Sequence, residues 1–106
     1  MSYRYMRVLV FFDLPVITAK NRRDYARFRK YLIKSGYIME QESVYSKLVP
    51  NGTVADSLIQ NIKKNVPEAG LIQVLKITEK QYVNVEYALG NKKGDVLTTD
   101  ERLVVI

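Results

Sequence analysis

A chain of 106 residues with 47% hydrophobic and 26% charged residues has the size and balance of one globular domain spanning 1–106, and is too apolar for an intrinsically disordered protein. It contains no cysteine and no histidine, which excludes the usual zinc sites, thiol nucleophiles and an imidazole base, and leaves carboxylates and hard metal ions for any chemistry. Seventeen Lys and Arg against eleven Asp and Glu give a net charge of +6, the sign that draws polyanions such as nucleic acid or an acidic membrane surface.

The N-terminal residues run straight into a strand with no signal-peptide hydrophobic region, and no stretch reaches the ~18 apolar residues of a membrane span. The expectation is a cytoplasmic protein that does not enter the membrane. From Tyr5 to Asp13 the chain reads as a strand. Its unbroken apolar run, Val8-Leu9-Val10-Phe11-Phe12, is the pattern of a central strand covered on both faces, and Leu14-Pro15 ends it. A helix is predicted from about Lys20 to Ser35, with Tyr25, Phe28 and Leu32 on its inner face and Gly36 as its stop signal. Tyr37 to Met39 begins a second strand, and Ser43 to Val49 forms a third beside it. Pro50-Asn51-Gly52 closes that pair.

Thr53 is expected to cap a second helix carrying Leu58, Ile59 and Ile62, which ends by Pro67. Gly70 to Ile77 reads as a fourth strand. Thr78-x-x-Gln81 then caps a short helix with Tyr82, Val85 and Leu89 on one face. A polar loop from Gly90 to Asp100 precedes a last short strand, Leu103-Val104-Val105-Ile106. The order predicts an α+β, ferredoxin-like β-α-β-β-α-β fold with an additional C-terminal strand. Two helices cover one face of such a sheet. A second copy is the simplest cover for the other, so a homodimer is expected.

Asp13 stands at the exit of the first strand, where a rigid strand fixes a side chain while the following loop leaves room for a ligand. It reads as a metal-binding and catalytic carboxylate, or else as a cap for nearby backbone N–H groups. Mg²⁺ keeps several waters and needs only one or two carboxylates, so two Asp13 side chains meeting across a dimer axis would make a minimal site. The first helix carries a second signal. Lys20, Arg23, Arg27, Lys30 and Lys34 recur at 3-4-3-4 spacing and fall within about 80° of one another on the outer face. The segment from Lys20 to Lys34 holds seven basic residues and one acid, Asp24. Five aligned cations repel one another and add nothing to helix stability, so they read either as a solvated face or as a rail ~20 Å long for a phosphate backbone. Such a rail binds without reading sequence. Ser43, with Tyr45 and Ser46, forms a hydroxyl-rich strand that could contact phosphate or simply pack. Most of the eight tyrosines fall on strands or an apolar helix face and read as core, and Glu40 and Glu42 resemble a carboxylate pair or, at i, i+2 spacing, simply two side chains on the same exposed face.

Several of these segments together resemble a known family. Phe11-Phe12-Asp13-Leu14-Pro15, Tyr25-Ala26-Arg27-Phe28-Arg29-Lys30, Gln41-Glu42-Ser43-Val44-Tyr45, Thr78-Glu79-Lys80-Gln81 and Asp100-Glu101-Arg102, in this order, are similar to the small CRISPR-associated spacer-acquisition protein, the second Cas subunit, in its type II form. The resemblance covers the whole chain. It implies a ferredoxin-like homodimer that sits between integrase dimers and holds protospacer duplex DNA. It also implies a Mg²⁺-dependent endonuclease activity described for some members, on single-stranded RNA or double-stranded DNA, with the strand-end Asp, here Asp13, as metal ligand. A third class, a toxin-like or regulatory ribonuclease, rests on fold analogy alone.

Overall fold

The computed structural model describes residues 4–90. Its elements in chain order are β1 (Met6–Asp13), α1 (Ala19–Lys34), β2 (Ile38–Gln41), β3 (Val44–Val49), α2 (Gly52–Lys63), β4 (Leu71–Thr78) and α3 (Glu79–Val83). The four strands form one sheet in the order β2-β3-β1-β4 with every neighbouring pair antiparallel, which is the ferredoxin-like arrangement expected from the sequence. The expected C-terminal strand at Leu103–Ile106 lies outside the described residues.

Side chains of a strand alternate between faces, and β1 divides cleanly. Val8, Val10 and Phe12 are buried beneath α1 and α2, together with Phe28, Leu32, Tyr45, Val49, Ala55 and Ile62. The Phe12 ring meets Phe28 edge-on at 5.4 Å and Tyr25 at 5.9 Å, so the apolar face of α1 is fixed to the middle of the sheet. Each such side chain contributes about 1.5–3 kcal/mol on burial. Leu9 and Phe11 point to the other face and are only half-buried, so the expectation of a strand covered on both sides holds for one side among the described residues.

Local signals account for the helix ends. Thr18 Oγ1 accepts from the Asn21 N–H at 3.0 Å while Asn21 Oδ1 accepts from the Thr18 N–H at 3.2 Å, a complete capping box ahead of α1. Gly36, at φ +92°, turns the chain after it. The cap of α2 is Asn51, whose Oδ1 accepts from the Val54 N–H at 2.9 Å, and not Thr53. Asn is as good a cap as any residue and stands ahead of a Gly that enters the helix freely, so the helix starts earlier than a cap at Thr53 would place it.

The face opposite α1 and α2 carries Arg7, Leu9, Phe11 and Asp13, and its one helix among the described residues is α3. The Thr78–Gln81 capping box predicted for α3 is present. No helix among the described residues is long and apolar enough to cross a membrane.

Candidate functional site

Asp13 is the last residue of β1, opposite Leu71 of β4, and is exposed. Its carboxylate makes no hydrogen bond or ion pair among the described residues. Two features hold its backbone. Leu14 behind it is buried in the core. Gly70, at φ +111°, passes so close that a Cβ there would lie 2.6 Å from Leu14 Cδ2 and 3.0 Å from the Asp13 carbonyl oxygen. Asp13 and Ser43 line one shallow cleft of about 170 Å³ with Phe11, Val44, Leu71 and Gln73. The Phe12 N–H donates to the Ser43 carbonyl at 3.0 Å and places Ser43 there.

This donor set decides what metal could bind. No group of three His, Cys, Asp or Glu among the described residues is placed to hold an ion. In its cleft one chain offers the single carboxylate of Asp13 among the described residues, a donor that fits a largely hydrated Mg²⁺ and to which a second chain's Asp13 would add another.

The basic residues form a separate feature, since none of them lines the Asp13 cleft. Lys20, Arg23, Arg27, Lys30 and Lys34 are all exposed along α1. Lys20 Nζ lies 2.7 Å from Glu68 and 3.0 Å from Asp24, and these two hydrogen bonds, Glu68 first, raise its pKa above the ordinary lysine value. Arg27 lies 3.7 Å from Asp24. Arg23, Lys30 and Lys34 make no ion pair among the described residues. The off-stripe arginines of α1 have other work. Arg22 donates to the carbonyls of Val16 and Ile17 at 3.2 and 2.9 Å, bracing the loop after Asp13, and Arg29 donates to the Tyr45 hydroxyl at 2.9 Å.

Sequence reasoning missed a polar cluster under α3. Arg7, on the open face of β1, pairs with Glu79, and its guanidinium lies 4.1 Å over the Tyr82 ring. Burial draws the Arg7 pKa down, but the bond and charge of Glu79 outweigh it and leave the group above its ordinary value. Glu40 accepts from the hydroxyls of both Ser46 and Tyr82, so it is no partner of Glu42 on an exposed face. An Arg at an open-face position of an apolar strand was the available signal. Beside this cluster an apolar groove of about 390 Å³ runs along the open face, lined by Leu9, Phe11, Val44, Ile77 and Val85 among others.

Comparison with known proteins gives one consistent result. The family described as CRISPR associated protein Cas2 matches residues 6–85. The CRISPR-associated endoribonuclease Cas2 of Treponema denticola is 61% identical over 101 residues, covering 95% of this chain and 100% of that protein. The protein of the same name from Streptococcus mutans is 41% identical over 101 residues, covering 95% of this chain and 93% of its own length. A solved structure described as a crystal structure of Cas2 superposes with a TM-score of 0.55 at 21% identity, over 84% of this chain and 91% of that one, a likeness of fold.

Proposed function

The chain belongs to the Cas2 family of CRISPR-associated proteins, and from that premise we propose that it is a homodimeric, cytoplasmic subunit of spacer acquisition that bridges integrase dimers and holds protospacer duplex DNA by its backbone. The observation that carries this reading is the outer face of α1, where five exposed cations line up and three have no internal partner among the described residues. Such a face binds phosphate without regard to sequence, as a protein handling arbitrary spacers must. Arg23, Arg27, Lys30 and Lys34 are the residues assigned to backbone contact, Lys20 lies at the head of the same face bound to Glu68 and Asp24, and Ser43 is a hydroxyl contact near the Asp13 cleft. The apolar groove on the open face of the sheet supports dimerisation, because a second copy would remove that surface from water.

The test is charge reversal. Arg23→Glu with Lys30→Glu should abolish duplex binding and spacer acquisition while gel filtration and circular dichroism stay at wild-type values. Undiminished acquisition by that variant would overturn the assignment.

A second reading is favoured by the Asp13 carboxylate, which is free among the described residues, and by the name of the relatives, endoribonuclease. In it the protein is a Mg²⁺-dependent endonuclease acting on single-stranded RNA or on double-stranded DNA. Asp13 would hold the ion together with Asp13 of a second chain. A bound Mg²⁺ supplies polarisation of a phosphoryl oxygen and a more acidic water. The part of this chain is to fix that carboxylate at a strand end, to offer the Ser43 hydroxyl beside it, and to hold the nucleic acid through α1.

A further inference from the structure

Asp24 is the single acid within the basic run of α1, and its side chain is only 15% exposed. At ~100° per residue it projects about 40° to one side of Lys20 and about 60° from Arg27, away from Arg23, Lys30 and Lys34. That flank faces the connection between α2 and β4, because Asp24 and Arg27 share a small cleft with Asn65, Val66 and Pro67. Glu68, from the same connection, adds a second carboxylate at 2.7 Å from Lys20. The basic face therefore has two unlike borders. One is lined with acids that already occupy Lys20 and touch Arg27. The other, carrying Arg23, Lys30 and Lys34 within about 40° of one another, has no acid paired to it among the described residues.

We propose that Asp24, together with Glu68, acts as an internal counter-anion that sets the path of the nucleic acid: the phosphates follow Arg23, Lys30 and Lys34, and Lys20 is withheld from them. This rests on the duplex-binding reading given above. A phosphate that took Lys20 would leave the largely buried Asp24 carboxylate with only its longer contact to Arg27 at 3.7 Å, and a weakened pair at a largely buried charge costs more than one surface contact returns. Arg27, whose pair with Asp24 is longer at 3.7 Å and whose side chain is 78% exposed, is the border residue that can turn either way. The two acids thus narrow a five-cation face to a directed three-cation track, so the duplex lies along the side of α1 away from the α2–β4 connection.

The experiment titrates a fluorescein-labelled DNA duplex of arbitrary sequence with the full-length protein across a range of NaCl concentrations. Each of Arg23→Ala, Lys30→Ala and Lys34→Ala should flatten the slope of log K against log salt by about 0.9 per chain, while Lys20→Ala leaves it unchanged. Glu68→Gln, at an exposed position, and Asp24→Asn should each steepen the slope and tighten binding severalfold at low salt. Acylation of the free protein followed by mass spectrometry should find Lys20 less reactive than Lys30 and Lys34, and should find the difference erased when both acids are neutralised. A Lys20→Ala variant that flattens the slope as much as Lys30→Ala overturns the track while leaving duplex binding intact. Lys20 as reactive as Lys34 in the absence of DNA overturns the pairing itself. A wild-type protein that fails to bind duplex at low salt overturns the binding reading, and the track with it.

Discussion

Arg7 and Glu79 meet side-on across 72 positions of sequence, Nε to Oε1 at 2.9 Å and Nη2 to Oε2 at 2.7 Å. This paired geometry ties the start of β1 to the first residue of α3, and the Tyr82 ring closes over the guanidinium. Removing the cation would strand Glu79 in a half-buried setting. Arg7→Ala should lower unfolding free energy by about 3 kcal/mol, read as a fall in the urea midpoint, with Glu79→Gln costing roughly half as much. A loss below about 0.5 kcal/mol for Arg7→Ala would mean that the pair behaves as an ordinary surface contact.

Tyr37 presents the opposite case. It is buried in the core, and its hydroxyl has no hydrogen-bond partner among the described residues. Burial pushes its pKa up to about 12, and burial with the Glu40 bond does the same for Tyr82. A phenol whose folded pKa lies above its ordinary value of 10.0 favours the fold while it is protonated. That contribution is present in full below pH 10 and is lost as pH rises through 12. Stability should therefore fall over this window, and Tyr37→Phe should flatten the fall. At neutral pH the same variant should match or exceed wild type by about 1 kcal/mol, because it deletes an unpaired buried hydroxyl. A marked loss of stability at pH 7 would reveal a partner for that group.

Asp13→Ala should leave folding within about 0.5 kcal/mol of wild type, since the side chain is exposed and makes no bond among the described residues. Under the duplex-binding reading it should also leave that binding intact, because the basic face does not line the Asp13 cleft. Under the nuclease reading it should abolish Mg²⁺-dependent cleavage. Cleavage that persists in this variant, or in EDTA, would identify a contaminating nuclease.

Gly70→Ala combines a disfavoured backbone angle with a collision against Leu14 and the Asp13 carbonyl. A loss of about 1–3 kcal/mol is expected, together with shifted NMR amide resonances at Asp13 and Leu14. Gly52→Ala is the control, because a Cβ there meets nothing within 4 Å and the residue opens α2. It should be neutral or slightly stabilising.

Most of the fold was legible because it rests on local periodicity. Tyr25, Phe28 and Leu32 showed the inner face of α1, whereas the unbroken run Val8–Phe12 marked β1 as a strand without telling its buried face, Val8, Val10 and Phe12, from the open one carrying Leu9 and Phe11. Thr78 and Gln81 disclosed α3 through their capping box. What stayed hidden depends on contacts distant in sequence. Nothing near Arg7 announces Glu79, and Glu40 looked like the partner of Glu42 until β3 and α3 brought it the hydroxyls of Ser46 and Tyr82. The stripe on α1 was readable from spacing alone. The attachment of Lys20 to Glu68 was not, because it depends on how the α2–β4 connection passes over the helix.

The position of β1 within the sheet has a kinetic consequence. It is flanked on both sides, by β3 and by β4, so its amide protons should be among the last to exchange with deuterated solvent, well after those of the edge strand β2. Asp13 ends that strand, so the carboxylate keeps its place through the partial openings that release the edges. The basic side chains of α1 project from exposed positions on long flexible stems. One chain thus pairs a carboxylate on a strand flanked on both sides with the contact surface proposed for nucleic acid, whose side chains could adjust from one duplex to the next.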